Sequence, residues 1–151
     1  MTLDNKQKLK AAAGIYVEDR IKKIHTAIAD LEEALKLETK CSMGDKYETG
    51  RAMLHLEFEK LSGQLEQLSR LTKTLSMIKE KQNFEKVEFG SVVKTAKANY
   101  FISIPAGEIE IGGEKFYAIG AGSPVAKAML GKNVGDFFTF NGVKNEILKI
   151  Y

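Results

Sequence analysis

Two carboxylates, Asp45 and Glu48, stand three residues apart in the run Gly44-Asp45-Lys46-Tyr47-Glu48. At the head of a helix that spacing lets the side chains converge. Converging carboxylate oxygens suit a hard cation, which takes oxygen ligands and keeps several of its waters. The same pattern also reads as a cap: Asp at the N-cap with Glu at N3 satisfies orphan amides of the first helical turn. The roles coexist, because capping does not consume every carboxylate oxygen. Lys40, Lys46 and Arg51 flank the pair, either as partner contacts or as solvated cations. Other reactive side chains form no set. Cys41, His25 and His55 match no zinc spacing, and Gly120-Ala121-Gly122 lacks the Lys-Ser/Thr end of a phosphate loop, so it reads as a turn. Phe116, Tyr117, Tyr100, Phe101, Phe137, Phe138 and Phe140 read as strand core rather than as a ligand groove.

The acids must be positioned by what flanks them. Leu35, Leu31, Ile28, Ile24 and Ile21 run away from the run on one side; Leu54, Phe58, Leu61, Leu65 and Leu68 run away on the other. Both sets are spaced 4, 3, 4, 3, the a/d seam of a coiled coil. Paired in order, each pair of residue numbers sums to 89, so the mirror point falls between Gly44 and Asp45. A helix that reverses and packs on itself produces that symmetry. The first arm is expected from about Tyr16 to Lys40, with Glu32 and Lys36 at ion-pair spacing off the seam. The second is expected from Asp45 or Tyr47 to about Lys81, with Thr72 interrupting its seam opposite Val17. Arms of this length reach about 40 Å at 1.5 Å per residue. Such a hairpin is a probe or spacer with no room for an internal pocket. The polar, basic stretch Met1–Lys10 is expected to fray.

Helical period stops at Lys81-Gln82-Asn83, which divides the chain into a hairpin domain, 1–83, and a C-terminal domain, 84–151. Nine of the 13 glycines lie at or after Gly90, which marks turn-rich β structure. Strands are expected over Val87–Thr95, Tyr100–Ile104, Glu108–Ile111, Lys115–Ile119, Asp136–Phe140 and Val143–Ile150. Asn141-Gly142 favours a type I′ hairpin between the last two. In Ser123-Pro124-Val125-Ala126-Lys127-Ala128-Met129-Leu130-Gly131, Ser123 suits the N-cap, Pro124 the first helical position and Gly131 the stop. The expected fold is α+β: an antiparallel helical hairpin with an acidic tip at 44–48, then a small, mostly antiparallel sheet with one short helix.

Composition excludes several classes. The 151 residues carry 23 basic and 20 acidic side chains. Neither domain is strongly basic, so a primary phosphate-tracking role is not indicated. One cysteine excludes an internal disulfide framework and fits a reducing cytoplasm. No apolar run approaches the ~20 residues that span a bilayer, and no signal-peptide core is evident.

These residues resemble the Gre family of bacterial transcript-cleavage factors. Gly44-Asp45 with Glu48 at the hairpin tip, Ser123 through Lys132, Val134-Gly135-Asp136 and the closing Glu146-Ile147-Leu148-Lys149-Ile150-Tyr151 are all similar to that family's pattern. The resemblance covers nearly the whole chain and is strongest in the C-terminal domain. It implies a hairpin that enters the secondary channel of RNA polymerase. Asp45 and Glu48 would correspond to the tip acids that help hold a second Mg2+ and a water where backtracked nascent RNA is hydrolysed at its 3′ end. Lys46, Tyr47 and Arg51 would contact polymerase or RNA beside them. The C-terminal domain would be FKBP-like and dock on the polymerase, with Ser123, Pro124, Lys127, Leu130, Gly131 and Asp136 carrying its signature. Two carboxylates alone are not an adequate metal site, so the polymerase supplies the remainder and the chain is not itself an enzyme. Magnesium is then shared rather than bound alone. DNA is met only through the polymerase, no membrane is involved, and a cytoplasmic monomer is expected, since the seam is consumed within the hairpin.

One flank departs from the family. Its tip usually continues with Asn, then Ala-Glu-Tyr, whereas here Glu48 is followed by Thr49-Gly50-Arg51-Ala52. Gly50 loosens the first turns of the helix by roughly 1 kcal/mol relative to alanine. A regulator that occupies the same channel without promoting cleavage is the alternative. A free-standing peptidyl-prolyl isomerase or chaperone ranks below it, because the acidic-tipped hairpin would then be unexplained.

Overall fold

The two ladders become two helices. In the computed structural model, α1 spans Leu3–Lys40 and α2 spans Gly44–Ser76. The structure describes residues 3–40, 44–79 and 82–151, with the backbone alone at 3, 39, 40 and 44–48. The chain forms two compact units: Val17–Leu71, and Met1–Tyr16 together with Thr72–Tyr151. The change of composition near Lys81 marks where helical period has ended, but packing divides the chain elsewhere. The chain divides between Tyr16 and Val17 and between Leu71 and Thr72.

Within Val17–Leu71 the helices run antiparallel. The Glu38 carboxylate near the end of α1 approaches Gly50 near the start of α2, while Arg20, Lys23 and Ile24 share a groove with Gln64, Gln67, Leu68 and Leu71. Leu31 and Leu61 are buried and the other eight ladder residues are half-buried. His25 and His55, beside the seam, are exposed. One stripe per helix is therefore covered, as a two-helix seam requires. That groove is an open surface depression of about 470 Å³.

The other unit contains the sheet. Its strands are β1 (Val92–Thr95), β2 (Asn99–Ser103), β3 (Gly107–Ile111), β4 (Glu114–Gly120), β5 (Phe137–Phe140) and β6 (Val143–Ile150), with α3 (Pro124–Met129) between β4 and β5. The spatial order is β3-β4-β2-β1-β6-β5. Every neighbouring pair is antiparallel except β2 and β4, which run parallel. Successive strand residues point to opposite faces. Val93, Ile102, Phe138 and Ile147 lie on the face that packs with Val125, Ala126 and Met129 of α3. Val92 and Phe101, paired across β1 and β2, lie on the opposite face and are fully buried, as are Leu9 and Ala13 of α1 in the same unit.

Three local expectations are corrected. From Leu3 onward the N-terminal stretch does not fray: α1 begins at Leu3, and Lys6 and Leu9 are 2% and 0% exposed. The Lys6 ammonium donates to the main-chain oxygens of Gln82 at 3.0 Å and Tyr151 at 3.3 Å, and lies 4.4 Å over the Phe84 ring. Helix α2 stops at Ser76 rather than near Lys81. Its end tightens into bonds from Met77 to Thr74 and from Ile78 to Leu75, and Lys10 Nζ takes the Ile78 oxygen at 2.9 Å. The first strand starts at Val92 rather than Val87, because residues 88–91 form a turn. There the Ser91 amide and hydroxyl both donate to Glu88 O, and Gly90 sits at φ +92°. The type I′ turn is present as read, with Asn141 at φ 53° and Gly142 at φ 75°. Among the described residues no helix is long and apolar enough to cross a membrane.

Candidate functional site

Asp45, Lys46, Tyr47 and Glu48 occupy the first turns of α2, which begins at Gly44. Their side chains lie outside the described residues, as does Cys41. Thr49 and Arg51 follow on the helix and are exposed. Gly50 is half-buried against α1: a Cβ built there would stand 3.1 Å from Glu38 Oε1 and 3.2 Å from its Cδ and Oε2. The glycine read in the sequence as a departure thus gives room to a carboxylate of the opposing helix. Among the described residues no three His, Cys, Asp or Glu side chains gather as a metal site.

The C-terminal signature residues are brought together by α3 and the turns around it. Ser123 holds the extended N-cap conformation, and its Oγ accepts the Ala126 amide at 3.3 Å. Pro124 follows at the first helical position, where its missing N–H costs nothing. Val125, Ala126 and Met129 turn inward, while Lys127 is exposed and Leu130 is 39% exposed. Gly131 has φ +80°, and its amide donates to Val87 O at 2.8 Å, tying the end of α3 to the chain ahead of β1. Asp136 Oδ2 accepts the Asn133 amide at 2.8 Å and closes the turn that enters β5. These positions build one corner of the unit, with Lys127 and Leu130 facing solvent.

The aromatic residues divide. Phe101, Phe116 and Phe138 are buried core, whereas Tyr117 and Phe137 are 41% and 48% exposed. Lys144 Nζ lies 4.6 Å over the Phe137 ring on the outer side of the β5–β6 hairpin. On the α3 side, Tyr100, Phe138, Phe140, Val143, Asn145, Asn141 and Lys97 line a pocket of about 240 Å³. The Tyr100 and Tyr117 rings are 6.1 Å apart and tilted by 41°. Burial, and then the neighbouring Tyr117, push the Tyr100 phenol above its ordinary range. Reading the aromatics as core overlooked this pocket. The available signal was Asn145, a polar residue at the inward register of β6 between Val143 and Ile147.

No protein-family model matches the chain, and no curated protein matches it in sequence. Among solved structures, the chain is similar to GreA factor homolog 1 (Gfh1) of Thermus thermophilus. The identity is 18%, over 89% of this chain and 92% of that one, at a TM-score of 0.35. A second structure, of the transcription factor Gfh1, is similar at 18% identity, over 89% of this chain and 90% of that one, at a TM-score of 0.35.

Proposed function

We propose that this protein is a transcription elongation factor that enters the RNA polymerase secondary channel and stimulates cleavage of backtracked nascent RNA. The observation that carries the reading is the placement of Asp45 and Glu48 in the first turns of α2, where an antiparallel helix pair reverses. From Val17 to Lys40, α1 is about 36 Å long at 1.5 Å per residue, a reach suited to a narrow channel. The resemblance of Ser123 through Lys132 to the Gre signature supports the same reading.

The chemistry required of the chain is small. A second Mg2+ beside a phosphodiester can generate hydroxide and steady the leaving oxygen. Asp45 and Glu48 supply oxygen ligands to that ion while the polymerase supplies the others. Lys46, Tyr47 and Arg51 contact polymerase or RNA beside it. The unit holding α3 docks on the polymerase through the Ser123–Gly131 corner and Asp136. The protein acts as a cytoplasmic monomer, meets DNA only through the polymerase and is not itself a nuclease.

The test is a stalled, backtracked transcription complex to which the full chain is added with Mg2+. Shortened transcripts are expected, and Asp45→Asn with Glu48→Gln abolishes them while polymerase capture is retained. Shortening that survives the double substitution rejects the metal role. A second reading, a channel-binding regulator without cleavage, is favoured by the Thr49-Gly50-Arg51 flank. It predicts polymerase capture and altered pausing with no short products.

A further inference from the structure

We propose that the pocket beside α3 binds a small carboxylate carrying an amide N–H and an apolar side chain, the chemistry shared by an N-acylated apolar amino acid and a peptide C-terminus. The inference does not rest on the polymerase reading, since none of its residues belongs to the tip or to the α3 corner.

The orientation of the Asn145 amide follows from its hydrogen bonds. Asn145 is 6% exposed, and its amide nitrogen donates to Thr95 Oγ1 at 3.0 Å. The Thr95 hydroxyl donates its single proton to Ala98 O at 2.6 Å and accepts the Ala98 amide at 3.1 Å. It therefore has only acceptor capacity to offer Asn145, and exchanging the Asn145 oxygen and nitrogen would set two acceptors against each other. This fixes the orientation and leaves Asn145 Oδ1 buried with no partner. Buried acceptors in folded proteins are almost always paired, so an unpaired one on a residue that lines a pocket has a standing preference for a donor. That oxygen has no exposed surface, so binding requires the Asn145 amide to turn toward the cavity when a ligand N–H enters.

The rest of the lining specifies the remainder of the ligand. Tyr100, Phe138 and Phe140 present aromatic surface, and about 240 Å³ admits one apolar side chain with its amide. The cation is Lys97, in the turn between β1 and β2 that the Thr95 hydroxyl closes. It is exposed and has no carboxylate partner among the described residues. An acid group at the mouth, an N–H at Asn145 and an apolar body between them match the three features together.

The test titrates the isotope-labelled full chain with N-acetylphenylalanine, its carboxamide, its N-methyl analogue and the peptide Gly-Gly-Phe, following backbone amide shifts. N-acetylphenylalanine is expected to give saturable shifts at Lys97, Phe138, Phe140 and Asn145. The carboxamide, which lacks the charge for Lys97, is expected to bind about 3- to 5-fold more weakly. The N-methyl analogue, which lacks the donor, should lose on the order of 10-fold. Lys97→Gln should lower affinity for the acid and leave that for the carboxamide unchanged. Gly-Gly-Phe binding at least as tightly as the acetyl acid identifies a peptide terminus as the source; its exclusion identifies the free acyl amino acid. Absence of saturable shifts at millimolar acid, equal binding of acid, amide and N-methyl forms, or shifts confined to other surfaces would each overturn the proposal.

Discussion

Leu75 Cδ2 lies 3.7 Å from the point where a Cβ on Gly14 would sit. Their residue numbers sum to 89, as do those of every rung of the ladder read from the sequence. The separation is ordinary van der Waals contact, so Gly14→Ala fills the space without displacing Leu75. Removing a glycine from a helix interior gains roughly 0.5–1 kcal/mol. Urea unfolding of Gly14→Ala is expected to show a higher midpoint with an unchanged slope. A lower midpoint would mean that α1 and α2 do not meet at this register.

Gly50 presents the opposite case at the other end of α2. Its absent Cβ would stand 3.1–3.2 Å from the Glu38 carboxylate, closer than comfortable contact. The obstructing atoms are the far end of a flexible side chain, so Glu38 can rotate away at little cost. Gly50→Ala is expected to stabilise by less than about 1 kcal/mol, and combining it with Glu38→Ala should recover the full helix-propensity gain. A double variant more stable than the sum of the single changes would measure the crowding directly in a double-mutant cycle. If Gly50→Ala destabilises, Glu38 is held in place by more than its own rotamer.

Ser123 carries a prediction for the α3 corner. Its hydroxyl satisfies the Ala126 amide, one of the orphan donors at the start of a two-turn helix. Ser123→Ala is expected to cost about 1 kcal/mol in unfolding experiments, and Ser123→Asp much less. If α3 also docks a partner, Ser123→Ala should weaken polymerase capture by more than its loss of stability explains, and Lys127→Ala should weaken it with no loss of stability. Equal capture by both variants would remove α3 from the docking surface.

What the sequence disclosed and what it hid follow the range of the interactions involved. The ladders, the Ser123 cap, Gly131 and the Asn141-Gly142 turn are local patterns, each decided within a few residues, and each is found where the pattern placed it. The parallel pairing of β2 with β4 joins strands separated by β3, and no local signal specifies it. Lys6 carries no local signal of burial, because its partners, Gln82 and Tyr151, are 76 and 145 positions away. Asn145 carries no local signal either: its partner Thr95 is 50 positions away, and an isolated asparagine in a strand has no motif. Asp45 and Glu48 are legible as a spacing of two carboxylates, and the first turns of α2 carry both positions. The pocket beside α3 is not legible, because it exists only once β2, β5 and β6 share one face.

The buried Lys6 makes stability depend on pH in a calculable direction. Desolvation lowers its pKa from 10.5 in the free side chain to about 8, although the oxygens of Gln82 and Tyr151 and the Phe84 ring favour its charged form. Below pH 8 both folded and unfolded chains hold the proton, and the folded state bears the full cost of burying the charge. Between pH 8 and 10.5 the unfolded chain binds the proton that the folded chain has released, so stability from this group rises with pH. Its slope is at most about 1.4 kcal/mol per pH unit. Other lysines and tyrosines titrate in the same window, so the measurement is the difference between the native chain and Lys6→Met, by urea unfolding from pH 7 to 10. The native chain should gain on the variant as pH rises above 8. A difference that stays flat would show that the ammonium is solvated in the folded state, and a difference of opposite sign would show that its two oxygens and the ring outweigh desolvation.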